Sequence, residues 1–203
     1  MNVTDEQIKS LTELFKTAPL SAGLGTQHRP CTIALVNIGM GYGLTDEDPG
    51  ECMSPVIRKW TICVQDRLPD EMRSLDTEHG KRWRSAGVRI AGSRDESKEE
   101  LRSQMILDWV WECLGGNTAP GWVPDEAKEA WVVMLNERTQ EAVDAASDVA
   151  FFADAAYADA VYAATYAATA AAAATAAAVA AHADASTWEG IDPAGLLTEL
   201  VNA

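Results

Sequence analysis

Basic residues are missing from the C-terminal part of the chain, since no lysine or arginine follows Arg138. Nine aspartates or glutamates lie from Glu141 to Glu199, so this part carries −9 of the formal charge of −15. The first 138 residues hold all 16 lysines and arginines and carry the remaining −6. Surplus acid repels nucleic-acid phosphates and anionic lipid and favours basic partners. Direct binding to nucleic acid is therefore not expected, and a solubilising acidic surface is the simpler interpretation.

Cysteine and histidine are too few and too widely spaced for a recognisable metal site. The four cysteines (Cys31, Cys52, Cys63 and Cys113) form no Cys-x2-Cys pair, although His28 and Cys31 have ligand-like spacing. Scattered cysteines in an otherwise ordinary composition fit free thiols in a reducing compartment. The sequence therefore predicts no metal and a cytoplasmic location.

Catalytic and nucleotide-binding motifs are also missing. Nucleophilic catalysis needs a serine or cysteine beside a base, yet no Gly-x-Ser-x-Gly motif surrounds any serine, and the chain has three histidines. The glycine cluster Gly39 to Gly43 lacks the lysine of a phosphate-binding loop, and we interpret it as the end of a helix. We predict no catalytic residues and no cofactor, and we favour a binding protein over an enzyme.

A long hydrophobic run without charges is the last missing feature. Aspartates interrupt the alanine-rich part of the chain, and ionisable groups are costly inside a bilayer. The first residues lack the basic start and the apolar run of a signal peptide. We therefore expect no membrane span.

Alanine is what the sequence has in excess, with 25 alanines and neither glycine nor proline from Ala142 to Ala185. Alanine has the highest helix propensity because its side chain loses no entropy in a helix. An unbroken helix over this tract would be roughly 65 Å long. We predict a long helix, either continuous or broken into two, that is the central element of a helical bundle or protrudes from it.

Capping patterns divide the rest of the chain into helices. Serine, threonine or aspartate marks an N-cap, and proline fits the first helical position. Such starts are Thr4 with Gln7, Ser54-Pro55, Pro69-Asp70, Ser97, Asp125-Glu126 and Asp192-Pro193. The run from Pro30 to Tyr42 also suits a strand, but we favour a buried helix.

The predicted fold class is all-α, with a mixed-charge helical domain over residues 1–138. The acidic alanine-rich helix and a short C-terminal helix, residues 139–203, pack on this domain.

The most basic part of the chain surrounds Trp83. Its cations are Lys81, Arg82, Arg84 and Arg89. Basic side chains beside an aromatic ring can hold a phosphate or a nucleic-acid strand, and the simpler alternative is that they pair with surplus acids inside the protein. The candidate binding residues are Lys81, Arg82 and Arg84, together with the tract aspartates Asp144, Asp148, Asp154 and Asp159.

Several short motifs lie between Cys31 and Gly92. They are Cys31, Thr45-Asp46, Pro49, Cys52, Pro55, Asp66 to Pro69, Arg73 and Ile90 to Gly92. This block resembles a group of uncharacterised phage and bacterial proteins, which continue, as this chain does, with a tryptophan-bearing helix (here Leu107 to Trp109), an alanine-rich tract and a short leucine helix. The group often has a second cysteine where this sequence has Ser54, which argues against a metal site. The resemblance implies a helical fold and a phage or mobile-element origin, hence a host cytoplasm, and carries no catalytic residues.

Three functions remain open at the level of the sequence. The first is a non-enzymatic acidic helical protein that occupies a basic surface of a protein partner, such as a host-defence or nucleic-acid-binding protein. The second is an oligomeric assembly protein that uses the alanine-rich helix as its interface. The third is a small-molecule-binding protein or enzyme built on the Cys31/Cys52 block with the basic stretch nearby.

Overall fold

The structure is a computed structural model that describes residues 3–113, 128–137 and 185–203. Helices hold most of these residues, and the two strands among them are two residues long each. The predicted all-α fold class is therefore confirmed. The predicted alanine-rich helix, whether continuous or broken into two, lies outside the described residues.

The chain divides into two compact units. The first consists of Met1–Arg102 together with Ala185–Ala203, and the second consists of Ser103–Asp184. The C-terminal helices therefore belong to the same unit as the N-terminal part of the chain. The predicted boundary between residues 138 and 139 falls outside the described residues and stays a prediction.

The described residues form a series of helices. They are α1 (Asp5–Thr17), α2 (Thr32–Gly39), α3 (Pro55–Gln65), α4 (Asp70–Arg73), α5 (Glu78–Gly87), α6 (Glu99–Cys113), α7 (Lys128–Glu137), α8 (Ala185–Ile191) and α9 (Pro193–Asn202). One-turn 3₁₀ helices cover Val88–Ile90 and Glu96–Lys98. Before α2, the short strands β1 (Gly25–Thr26) and β2 (Arg29–Pro30) pair antiparallel.

Side-chain caps begin α1 and α3 where the sequence predicts them. Thr4 Oγ1 accepts from the Gln7 amide at 3.3 Å, and the Thr4 amide donates to Gln7 Oε1 at 2.9 Å. These two bonds form a complete capping box. At the start of α3, Ser54 Oγ accepts from the Ile57 amide at 3.1 Å, with proline at the first helical position.

The start of α6 differs from the prediction. The sequence predicts Ser97 as the N-cap, but Ser97 lies inside a 3₁₀ turn that Asp95 caps. The Asp95 carboxylate accepts from the Ser97 amide at 3.1 Å and from the Ser97 hydroxyl at 2.7 Å. A carboxylate carries the negative charge that the helix dipole favours at an N-terminus, so the helical stretch begins earlier than predicted.

Helices α2, α3 and α5 form much of the core of the first unit. Helix α2 is buried along most of its length, as predicted for the run from Pro30 to Tyr42. Trp60 on α3 and Trp83 on α5 are fully buried, with ring centroids 5.9 Å apart. Trp83 Nε1 donates to Thr32 Oγ1 at 2.8 Å, which joins α5 to the start of α2. Aromatic rings thus supply the large buried area that alanine cannot.

Helix α9 packs against α5 and α3. Leu196, Leu197 and Leu200 are buried. Asp192 begins the helix from a left-handed backbone with φ of 43°, and its Oδ1 accepts from the Gly195 amide at 3.1 Å. The predicted start at Asp192-Pro193 is therefore confirmed.

The described part of the second unit is helical. Helix α6 begins in the first unit and ends at Cys113, and α7 begins at Lys128. The predicted start of α7 at Asp125 lies outside the described residues. None of the helices that the structure describes combines the length and the apolar composition needed to cross a membrane.

Candidate functional site

Most of the basic stretch that the sequence singles out folds as α5, and Arg89 lies in the 3₁₀ helix that follows. Thr77 caps this helix, with its hydroxyl accepting from the Gly80 amide at 3.1 Å. Residues three or four positions apart share a face of a helix, so Lys81 lies on one face with Arg84, whereas Arg82 lies elsewhere. The fold therefore separates the three basic residues predicted to bind.

A pocket lies between α1 and α5 on the face that holds Lys81 and Arg84. Its volume is about 390 Å³, which falls in the range of small-molecule sites. Its lining, all from the described part of the first unit, consists of Thr12, Phe15 and Lys16 from α1, Lys81, Arg84 and Ser85 from α5, and Leu75 and Val88. Three cations and no carboxylate thus line this pocket, which we call the α1–α5 pocket.

Arg84 is the buried cation of the α1–α5 pocket, with 4% of its surface exposed. Its Nη1 donates to the carbonyl oxygens of Phe15 at 3.2 Å and Ala18 at 2.7 Å. Its Nη2 donates to the carbonyl oxygen of Arg73 at 3.0 Å. These carbonyls lie at the C-terminal ends of α1 and α4, where helix carbonyls lack intrahelical partners and the dipole is negative. Arg84 thus joins two helix ends to α5.

The charge of Arg84 is balanced by carbonyl dipoles and not by a carboxylate among the described residues. Burial alone lowers the pKa of Arg84, to about 10, so the guanidinium remains protonated at neutral pH. Its Nε is also buried without a hydrogen-bond partner in the described part of the chain. A buried charge without a countercharge is costly. An anion in the pocket would therefore gain an attractive interaction with Arg84.

The two lysines of the α1–α5 pocket are available to a ligand. The Lys16 and Lys81 side chains are 61% and 59% exposed. Lys16 Nζ lies 2.8 Å from Glu13 Oε1, and Lys81 Nζ lies 3.8 Å from Glu78 Oε2. Exposed pairs of this kind contribute little to stability, so either lysine can turn towards an anion at small cost.

The remaining lining of the α1–α5 pocket is largely apolar. The Phe15 ring is buried, and Leu75 and Val88 are half-buried. Cations beside an apolar wall suit a ligand with a negative head group and an apolar body. The arrangement provides binding surface for such an amphipathic anion.

Arg82, the third basic residue predicted to bind, is used inside the protein. Its Nη2 donates to Asp192 Oδ2 at 2.7 Å, which ties α5 to the start of α9. Burial acts to raise the pKa of Asp192, but the hydrogen bonds from Arg82 and the Gly195 amide outweigh it, and the pKa is lowered. Arg82 therefore pairs with an acid of the protein itself, which is the simpler alternative given by the sequence.

The Cys31/Cys52 block gives the third hypothesis no geometric support. Both thiols are buried, and Cys31 caps α2, with its Sγ accepting from the Ala34 amide at 3.3 Å. Burial raises the pKa of both cysteines, which disfavours the thiolate that a nucleophile or metal ligand needs. Within residues 3–113, 128–137 and 185–203, no three histidine, cysteine, aspartate or glutamate side chains cluster as a metal site would require.

The four acidic residues predicted to bind lie outside the described residues. They are Asp144, Asp148, Asp154 and Asp159. Their role stays a prediction, but their charge is known from the sequence. The second unit contains twelve aspartates and glutamates and two cations, which gives it a formal charge of −10.

Sequence reasoning missed the contribution of α1 to the pocket. In the sequence, Lys16 has Glu13 three residues before it and looks like an ordinary solvated lysine. For Arg84 a signal is present, because no acid lies three or four residues before or after it. Arg82 differs, since Glu78 lies four residues before it. A cation without an acidic neighbour at helical spacing needs other partners once it is buried.

Comparison of the chain with protein-family models, with curated proteins and with solved structures gave no match. The resemblance to uncharacterised phage and bacterial proteins therefore stays a prediction, as does the phage origin that it implies. What the protein does has to be inferred from the residues of the site.

Proposed function

We propose that the first unit is a binding module for a small organic anion, in which a carboxylate or phosphate is attached to an apolar body. The observation that carries this proposal is the buried guanidinium of Arg84, which lines a pocket of about 390 Å³ and has no carboxylate partner among the described residues. Lys16 and Lys81 line the same pocket. This proposal retains a small-molecule site, as in the third hypothesis, but the binding residues come from the basic stretch and not from the Cys31/Cys52 block.

The head group and the body of the ligand are held by different forces. The anionic head pairs with Arg84 and the two lysines, through charge-assisted hydrogen bonds that strengthen where water is excluded. The body contacts Phe15 and its apolar neighbours, and such burial contributes about 25 cal/mol per Å². A neutral analogue and a bare inorganic anion should both bind more weakly, because each lacks one of the two contributions.

Isothermal titration calorimetry of the full chain with octanoate, octyl phosphate and octanol tests this proposal. Octanol has the same apolar chain without the charge, and we expect it to bind at least about tenfold more weakly, the equivalent of one charge-assisted hydrogen bond. Inorganic phosphate supplies the charge without the apolar body. The stronger of the two anionic ligands identifies the preferred head group.

Lysine substitutions locate the binding site. Lys16→Ala and Lys81→Ala each remove one pocket cation, and we expect each to weaken binding of the preferred anion by about three- to fivefold, as for one exposed ion pair. Lys9→Ala is the matched control, because Lys9 is an exposed lysine of α1 outside the pocket. Arg84 is left unchanged because its loss would free the carbonyls at two helix ends. Unchanged affinity in both pocket variants, or an equal loss in Lys9→Ala, would contradict the proposal.

A second candidate is the first hypothesis from the sequence, a protein that occupies a basic surface of a protein partner. The observation that favours it is the unequal charge of the two units. The first unit has 19 acids and 14 cations, which gives −5, against −10 for the second. Dense negative charge complements the basic groove of a nucleic-acid-binding protein. In this candidate the second unit makes the contact.

The assembly alternative also stays a prediction. Its interface would be the alanine-rich helix, which lies outside the described residues. Neither candidate above depends on the oligomeric state, so both can be tested before that state is known.

A further inference from the structure

A second pocket of about 380 Å³ lies in the first unit. Its lining combines Ile8 of α1, residues of the segment from Arg89 to Lys98, Arg102 of α6 and Val201 of α9. The cations of this lining are Arg89, Arg94, Lys98 and Arg102, against the single lining carboxylate of Asp95. The lining is mostly polar, in contrast to the α1–α5 pocket. We call this second pocket the Arg102 pocket.

Arg102 is the fixed cation of the Arg102 pocket, with 2% of its surface exposed. Its Nη1 donates at 2.8 Å both to the Ser93 carbonyl oxygen and to Glu99 Oε1. Its Nε donates to the Leu200 carbonyl oxygen at 3.3 Å. These bonds hold the guanidinium in one orientation, so little side-chain entropy remains to be lost on binding. Nη2 is the nitrogen that these bonds do not use.

The other three cations of the pocket are only loosely paired. Arg94 Nη2 lies 3.6 Å from Glu96 Oε1, and Lys98 Nζ lies 3.8 Å from Asp95 Oδ2. Both distances exceed that of a good hydrogen bond. Arg89 is exposed and has no ion pair within the described ranges. All three side chains can therefore turn to a ligand without breaking a strong contact.

We propose that the Arg102 pocket binds the di- or triphosphate group of a small molecule. Each phosphate offers several charged oxygens, which match the planar donor fork of an arginine, and this lining supplies three arginines. A single carboxylate would use only part of this donor set. The polar lining also offers little surface to an apolar body.

A small ligand fits this pocket better than a nucleic-acid strand. The formal charge of the chain is −15, so a long polyanion that extends beyond the local cations is repelled. A diphosphate or triphosphate is short enough to contact the pocket cations alone. The Arg102 pocket shares no lining residue with the α1–α5 pocket, so the two proposals succeed or fail independently.

Calorimetry and amide NMR titration of the full chain with sodium tripolyphosphate and pyrophosphate, at constant ionic strength, test this inference. We expect binding with amide shifts concentrated between Gly92 and Lys98. Arg89→Gln should weaken binding by about tenfold, the loss of one charge-assisted contact. Lys59→Gln removes the same charge from an exposed position of α3 outside both pockets, and it should leave the affinity unchanged.

Several outcomes would overturn the inference. Unchanged affinity in Arg89→Gln, or an equal loss in Lys59→Gln, would do so, provided that the thermal stability of both variants matches that of the parent. Sulfate that binds as tightly as tripolyphosphate would mean an adventitious ion only. Short single-stranded DNA that binds more tightly than tripolyphosphate, and loses affinity in Arg89→Gln, would replace the small molecule with a nucleic-acid backbone.

Discussion

At the scale of single residues, burial sets the charge of His79. Its ring is 7% exposed and stacks on Trp83, with centroids 6.0 Å apart. Its Nδ1 lies 2.9 Å from the Met72 carbonyl oxygen, which can only accept, so Nδ1 carries the hydrogen. Its Nε2 is buried without a hydrogen-bond partner among the described residues. Burial lowers the pKa of His79 more than the bond to Met72 raises it, and the neutral ring is the folded form.

The stability of the protein should therefore fall as His79 becomes protonated. A group with a pKa lowered by folding stabilises the fold above its unfolded pKa, here about 6.5, and this contribution is lost as the pH falls. Asp192 and Glu189 raise the pKa of His79, and Arg82 lowers it, but burial has the largest effect. We expect a lower free energy of unfolding at pH 5.5 than at pH 7.0 in denaturant titrations.

Histidine variants separate His79 from other titrating groups. His79→Phe cannot be protonated and should reduce the fall between the two pH values. His28→Gln is the control, because His28 is exposed, and it should leave the fall unchanged. The same pH dependence in His79→Phe as in the parent would assign the effect to acidic groups instead.

At the scale of helices, Asp192 both caps α9 and connects it to α5. The cap is the 3.1 Å bond from the Gly195 amide, and the connection is the 2.7 Å bond from Arg82. The backbone of Asp192 is left-handed, a conformation that asparagine also tolerates. Two substitutions can therefore remove these contributions in turn.

We expect Asp192→Asn to lower the free energy of unfolding by less than about 1 kcal/mol, because it loses an exposed ion pair but keeps the capping oxygen. Asp192→Ala also loses the cap and should cost about 1–2 kcal/mol more. Denaturant titrations at pH 7 measure both, and Arg82→Gln should add little to Asp192→Asn because the two residues form one pair. Equal losses in the two Asp192 variants would show that the charge, and not the cap, holds α9.

The helix starts could be predicted because caps are local. Thr4, Ser54 and Asp192 each bind an amide three residues ahead, a spacing visible in the sequence. The prediction at Ser97 is wrong because Asp95 lies two residues earlier, and spacing alone does not rank two acceptors.

The α1–α5 pocket could not be predicted in the same way. It depends on contacts between segments about 70 residues apart. At one of them, a Cβ added to Gly87 would lie 2.7 Å from Phe15 Cε1, so the absence of a side chain on α5 lets α1 approach. No local pattern in the sequence reports such a contact, and for this reason Lys81 and Arg84 were predicted to bind without Lys16.

At the scale of the whole molecule, small anions and a basic protein partner are proposed to bind to different units. Both pockets lie in the first unit. The basic side chains described there form ion pairs, donate to carbonyls at helix ends or line a pocket. The second unit has ten more acids than cations, so attraction of a basic protein would come mainly from there. The two activities can therefore be separated by substitution in the full chain.

We expect the full chain to capture a basic nucleic-acid-binding protein from a bacterial cell extract. Capture should weaken as salt shortens the screening length from about 10 Å at 0.1 M to about 3 Å at 1 M. The test variant replaces Asp144, Asp148, Asp154 and Asp159 with asparagine. The control variant replaces exposed acids of the first unit, Glu51, Glu71, Asp76 and Glu100, with their amides. The test variant should lose more capture, and added DNA should displace the captured protein. Equal losses in the two variants would show that capture depends only on the net charge of the chain. Capture that does not respond to salt or DNA would exclude occupation of a basic groove.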